Sequence, residues 1–170
     1  MNLTKSIFTS MLITLVTWSG VSAQEQPKVK ANTAGTTKTE LHYFYILQTR
    51  ADLDHIELLW NDAYKKLESV SRDNLSTIIV AYKDLSQDFA TADITIGYQS
   101  STAVKGERSS IELSNNKQVL LSNGSHDKGA IEKAWNDIDF RRDIEVIIET
   151  HDLNQHGLPD NNSLTVYYKD

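Results

Sequence analysis

Short stretches of alternating apolar and polar residues, and two longer stretches with helical spacing, make up most of the chain. Alternation over four to eight residues rich in aromatic and β-branched side chains is typical of a strand. The stretches with this pattern are 41–48, 76–83, 93–99, 117–122, 143–150 and 163–169. In 54–68 and 125–139, apolar residues recur three or four positions apart, which predicts two helices. Asp54 and Glu57 also have the spacing of a capping box.

The predicted elements follow the order strand, helix, strand, strand twice. Residue types in the two halves also correspond: 94–98 (ITIGY) with 164–168 (LTVYY), and 63–67 (AYKKL) with 134–138 (AWNDI). We therefore predict an α+β fold built as a tandem β-α-β-β repeat, with repeat one at 40–101 and repeat two at 110–170. Two such units can join into one curved antiparallel sheet with both helices on one face and a concave trough on the other.

Residues 1–23 have the composition of a secretory signal peptide. Lys5 precedes an apolar run, and small residues before Gln24 form a cleavage pattern. The alternative is an uncleaved anchor, although the apolar run is short for a bilayer span. Residues 24–39 are rich in Thr and Lys and predict a flexible linker. We expect a periplasmic or secreted bacterial protein, with no membrane association after cleavage and a folded domain at 40–170.

The charge and composition exclude several classes of protein. The net charge of −6 argues against a nucleic-acid partner, because such proteins need surplus Lys and Arg. The absence of cysteine excludes disulfides and thiol catalysis. No phosphate-binding or dinucleotide-binding loop is present, so we predict no cofactor. The histidines lack the spacing of a metal site, which predicts that they lie on the surface, including His151 and His156 in a late loop.

Three segments, together with the doubled element order, resemble the GyrI-like small-molecule-binding superfamily. They are 93–98 (DITIGY), 124–135 (GSHDKGAIEKAW) and 144–152 (IEVIIETHD). This superfamily includes the effector-binding domains of some AraC- and MerR-type multidrug regulators. The resemblance covers about 40–170 and implies a ligand pocket at the seam between the repeats, lined by aromatic side chains. It also implies a buried glutamate on the strand after the second helix.

Two features depart from what the resemblance implies. Ile147 stands where the Glu-x-Tyr context of that glutamate would have a tyrosine. A predicted signal peptide stands where the regulators have a DNA-binding region, so their regulatory role is not expected here. Some stand-alone proteins that resemble this family hydrolyse reactive cyclopropane-bearing compounds, so the resemblance implies binding or hydrolysis.

Candidate site residues follow from the alternation on the predicted strands. On 143–150, alternation separates Val146 and Ile148 from Glu145 and Glu149. We expect the apolar face to pack under the helix, so that the glutamates face the trough; the alternative is that both are solvated. Tyrosines on strands favour an aromatic wall, although tyrosine is also common in sheets. The predicted ligand-binding residues are Glu145, Glu149, Tyr43, Tyr45, Tyr98, Tyr167 and Trp135. Trp60 is predicted to be core packing.

The sequence favours an exported protein that holds an amphipathic small molecule in the trough without transforming it. The acidic net charge favours a cationic ligand. Two alternatives stay open: a hydrolase that uses one of the two glutamates on a water molecule, and a protein-interaction module. The sequence does not decide whether the protein is an enzyme, and it gives no oligomeric state.

Overall fold

The computed structural model describes residues 38–70, 75–100 and 108–170. The predicted signal peptide and the linker up to residue 37 lie outside the described residues. The strands are β1 (Thr39–Asp52), β2 (Thr77–Lys83), β3 (Thr91–Gln99), β4 (Arg108–Leu113), β5 (Lys117–Gly124), β6 (Ile144–Leu153) and β7 (Pro159–Tyr168). The helices are α1 (Ile56–Leu67) and α2 (Lys128–Asn136), and a 3-10 turn (Leu53–His55) precedes α1.

The seven strands form one curved antiparallel sheet in the order β4-β1-β3-β2-β6-β7-β5. β2 and β6 are adjacent at its centre, where Val80 lies opposite Glu149 and Tyr82 lies opposite Ile147. This sheet and two helices confirm the predicted α+β class. β4 was not predicted as a strand; it pairs with the outer side of β1 and so forms one edge of the sheet.

Both helices pack against the same apolar cluster on one face of the sheet. Ala63 of α1 and Ala134 of α2 are almost fully buried in this cluster, because a small side chain lets the helix backbone approach the strands closely. α1 contacts β1, whereas α2 contacts β5 and β7. The two helices therefore lie over opposite halves of the sheet. The helix-facing side chains of the central strands β2 and β6 lie beneath the space that separates the helices.

The opposite face of the sheet has an apolar cluster of its own. Its buried members are Tyr43, Ile79, Ala81, Ile111, Leu113, Val146 and Ile148. The face on which the sequence predicts an open trough is thus filled by the protein's own side chains. The close packing includes Gly97 on β3: a Cβ at this position would lie 2.3 Å from Cδ2 of Tyr43.

The helix starts differ from the predicted ones. The predicted capping box at Asp54 and Glu57 is wrong, because α1 begins after a 3-10 turn and its N-cap residue, His55, makes no side-chain capping hydrogen bond. α2 instead begins with a true N-cap, in which the Asp127 carboxylate accepts a hydrogen bond from the Ala130 N–H at 2.8 Å. Neither described helix is long and apolar enough to cross a membrane.

Candidate functional site

The side chains of β6 face in the opposite sense from the prediction. Ile147 belongs to the cluster beneath the helices, whereas Val146 and Ile148 belong to the cluster on the other face. Glu149 therefore shares the helix face with Ile147 and does not face the trough. The prediction was wrong because it assumed only one buried face, and both faces of this central strand are buried. A register shift between Ile144 and Val146 further interrupts the alternation.

Glu149 is a buried carboxyl group with two polar neighbours. Only 3 % of the residue is exposed. The Tyr82 hydroxyl, which comes from the neighbouring strand β2, donates a hydrogen bond to Glu149 Oε2 at 3.0 Å. Burial raises the pKa of Tyr82 well above its ordinary value, and the adjacent Glu149 carboxylate adds to this shift. Tyr82 therefore stays protonated and able to donate at physiological pH.

His151 is the second polar neighbour of Glu149. It lies two residues further along β6 and hence on the same face. Its Nε2 is 3.0 Å from Glu149 Oε1, and only 12 % of the His151 side chain is exposed. The prediction that His151 lies on the surface is therefore wrong. The imidazole and the carboxyl group form a close pair shielded from water.

One tryptophan from each helix packs against this polar group. Trp60 of α1 meets the His151 ring edge to face, with ring centroids 5.3 Å apart. Trp135 of α2 meets the Tyr82 ring in the same way, with centroids 5.0 Å apart. Both tryptophans are partly exposed, so they stand between the buried polar groups and solvent. Aromatic faces of this kind can contact an apolar or a cationic ligand.

Among the described residues, three buried side-chain polar atoms have no hydrogen-bond partner: Trp135 Nε1, His151 Nε2 and Asn162 Oδ1. Asn162 on β7 lies directly opposite His151 in the sheet. His151 Nε2 is close to Glu149 in distance but lacks the geometry of a hydrogen bond. Buried polar atoms are nearly always paired with protein groups, water or a bound molecule, so these three atoms are available to a molecule that reaches them. The interhelical site is defined here as Tyr82, Glu149, His151, Asn162, Trp60 and Trp135.

Of the predicted ligand-binding residues, Glu149 and Trp135 belong to the interhelical site. Tyr98 lies on the same face of the sheet, but its ring stacks on Phe44 with centroids 5.2 Å apart. Glu145 is a half-buried residue near the start of β6, and its carboxylate accepts a hydrogen bond from the Ser114 N–H at 3.1 Å. The structure therefore separates the two glutamates, both of which the sequence predicts to face the trough.

The remaining predicted residues lie elsewhere. Tyr43 is buried in the cluster on the opposite face, and Tyr167 packs against that cluster. Tyr45 is 53 % exposed. The structure therefore does not bring these three tyrosines together with Glu149.

The sequence reasoning missed four residues of the interhelical site. Tyr82, His151 and Asn162 were not considered as binding residues, and Trp60 was assigned to the core alone. Trp60 does pack against the core cluster, and it also covers His151. A signal for His151 was available, because strand alternation from Glu149 places it on the same face. Nothing in the sequence pairs Asn162 with His151, since that contact depends on the register of β6 and β7.

The chemistry of the site can be stated from its atoms. It offers an indole N–H donor, an amide oxygen acceptor, a carboxyl group and an imidazole, all within aromatic surroundings. Within the described part of the chain, no three histidine, aspartate or glutamate side chains are grouped so as to hold a metal ion. No protein-family model matches the chain, and no curated protein matches it.

Proposed function

We propose that the protein binds an amphipathic small molecule at the interhelical site. The observation that carries this proposal is the buried Glu149 carboxyl group together with three buried polar atoms of the site that make no hydrogen bond. A ligand with both a hydrogen-bond donor and a hydrogen-bond acceptor would pair with these atoms, while its apolar part contacts Trp60 and Trp135. Leaving such groups unpaired costs roughly 1–3 kcal/mol each, so a ligand that pairs them gains affinity.

The ligand enters between the two helices in this proposal, and not from the trough that the sequence predicts. Trp60 and Trp135 are partly exposed and belong to different helices, so modest side-chain movement would open a path to Glu149. Glu149 makes a cationic or hydrogen-bond-donating ligand the best match. The acidic net charge of the chain favours the same class of ligand.

We further propose that the chain is an exported, GyrI-like domain built from two β-α-β-β repeats. The sheet order supports the repeat, since β2 and β6 are central, β3 and β7 flank them, and β1 and β5 follow on either side. The buried glutamate on the strand after the second helix and the aromatic residues near it agree with what the resemblance implies. The leader-like composition of residues 1–23 is the basis for proposing export to the periplasm or beyond.

The test is a thermal-shift screen of the protein from Gln24 onward against lipophilic cations and neutral amphiphiles. A ligand present at about 100 times its Kd should stabilise the fold by roughly 2.7 kcal/mol. We expect Glu149→Gln to abolish the shift for cationic ligands. The matched control is Glu145→Gln, which changes the same residue type on the same strand and should keep the shift.

The outcomes distinguish the proposal from its alternatives. A panel that stabilises neither the parent protein nor the control refutes small-molecule binding, and a partner recovered in its place would favour the interaction module. Equal ligand-induced Tm shifts in the two glutamate variants would show that the ligand does not bind at Glu149. The hydrolase alternative would be favoured if the parent protein hydrolyses an ester or epoxide probe. This activity should then be lost in Glu149→Gln and kept in Glu145→Gln.

A further inference from the structure

The Glu149 carboxyl group already has a basic partner inside the protein. His151 Nε2 lies 3.0 Å from Glu149 Oε1, and the exposed fractions of the two side chains are 12 % and 5 %. A pair this well shielded interacts more strongly than an exposed one, because solvent screens it less. A cationic ligand that approaches Glu149 therefore meets a site whose charge His151 can already balance.

The other described side chains placed beside this pair are neutral. Tyr82 from β2 donates to the second oxygen of Glu149, and its raised pKa keeps it uncharged. α1 contributes the ring of Trp60, which rests on His151. β7 contributes Asn162, and α2 contributes Trp135 through its contact with Tyr82. Among the described side chains that contact the pair, His151 is of the type that ordinarily gains and loses its proton nearest neutral pH.

Resting on the proposed function, we propose that His151 is the internal counter-ion of the interhelical site and that a cationic ligand binds in exchange for its proton. The protonated imidazole and a cationic ligand both require the Glu149 carboxylate, and two positive charges in this enclosed space repel each other. When the cation pairs with Glu149, the His151 proton leaves to solvent and the neutral imidazole remains. His151 thus decides between cationic and neutral ligands, and the choice depends on pH.

The direction of the pH effect follows from this exchange. Where His151 carries the proton that must be displaced, the affinity for a cation is weakened. Where the imidazole is already neutral, binding releases no proton. Linkage then makes the cation affinity rise with pH, by up to about tenfold per pH unit where one proton is released. A neutral ligand displaces no proton and should bind with an affinity that does not change with pH.

The experiment uses two probes of nearly equal shape whose charge does not vary with pH. They are 4-(trimethylammonio)benzyl alcohol, which is a permanent cation, and 4-tert-butylbenzyl alcohol, which is neutral. Calorimetric titration in buffers of different ionisation enthalpy counts the protons released on binding. For the cation, we expect the release to approach one proton per ligand at the lowest pH measured. For the neutral probe, we expect no proton release.

Two variants show whether the proton comes from His151. In His151→Gln, the cation affinity that remains should be independent of pH, and binding should release no proton. The control is His156→Gln, which changes an exposed histidine and should behave like the parent protein. Cation binding without proton release in the parent, or unchanged release in His151→Gln, overturns this inference and leaves the proposed function standing. If neither probe binds and neither shifts Tm, the inference falls together with the proposed function.

Discussion

Gly97 provides the sharpest test of how the face of the sheet opposite the helices is packed. A Cβ added at Gly97 would lie 2.3 Å from Tyr43 Cδ2 and 2.9 Å from the Phe44 carbonyl oxygen. The tyrosine ring could shift, but the carbonyl oxygen belongs to the paired strand β1 and cannot move without straining the sheet. Overpacking of this kind costs about 1–3 kcal/mol, so Gly97→Ala should lower Tm by roughly 3–10 °C at this chain length.

The assay is thermal and chemical denaturation of matched variants, followed by circular dichroism. Gly129→Ala is the control, because the Cβ there would meet only Asp127 Oδ1 at an ordinary 3.5 Å, and replacing an exposed helical glycine should stabilise by about 0.4–1 kcal/mol. In a Tyr43→Leu background, Gly97→Ala should lower the free energy of unfolding by less, because one of the two close contacts of the added Cβ is removed. The described packing would be refuted if the free energy of unfolding of Gly97→Ala lies within about 0.5 kcal/mol of the parent value, since that is the usual range for a neutral substitution. An equal loss in both backgrounds would refute the role of Tyr43.

Further predictions concern Tyr82 and the start of α2. The raised pKa of Tyr82 means that its burial stabilises the fold below the ordinary tyrosine value of 10.0 and that this contribution is lost as the pH rises further. Tyr82→Phe should cost about 1.5–3 kcal/mol at neutral pH by removing the hydrogen bond to Glu149. Urea titrations should then show this deficit narrowing above about pH 10. The control Tyr45→Phe changes an exposed tyrosine and should alter the free energy of unfolding by less than about 0.5 kcal/mol at neutral pH. Asp127→Ala should cost about 0.5–2 kcal/mol by urea denaturation through loss of the N-cap, while Asp54→Ala stays within 0.5 kcal/mol. Equal losses in the two aspartate variants would contradict the described helix starts.

Local pattern was sufficient for most of the secondary structure. Strand alternation and helical spacing predicted both helices and six of the seven strands, because these periods depend on residues close together in the chain. Their ends were less well predicted. Both helices begin later than predicted, since the stretches before them form a 3-10 turn and an N-cap loop, and both also end before the predicted ends. β4 was missed because its short alternation, RSSIEL, carries little signal until it pairs with β1.

The side of the sheet on which each side chain lies, and the residues it contacts, depend on the assembled fold. Local pattern establishes that β6 carries two glutamates and a histidine at alternating positions. It could not tell which face of β6 meets the helices, because apolar residues occupy both faces and pattern distinguishes faces only when one is polar. The contacts of Glu149 with Tyr82 and His151 also depend on strand pairing and on burial beneath two helices. These are properties of residues distant in sequence, so the interhelical site becomes visible only when the sheet is assembled.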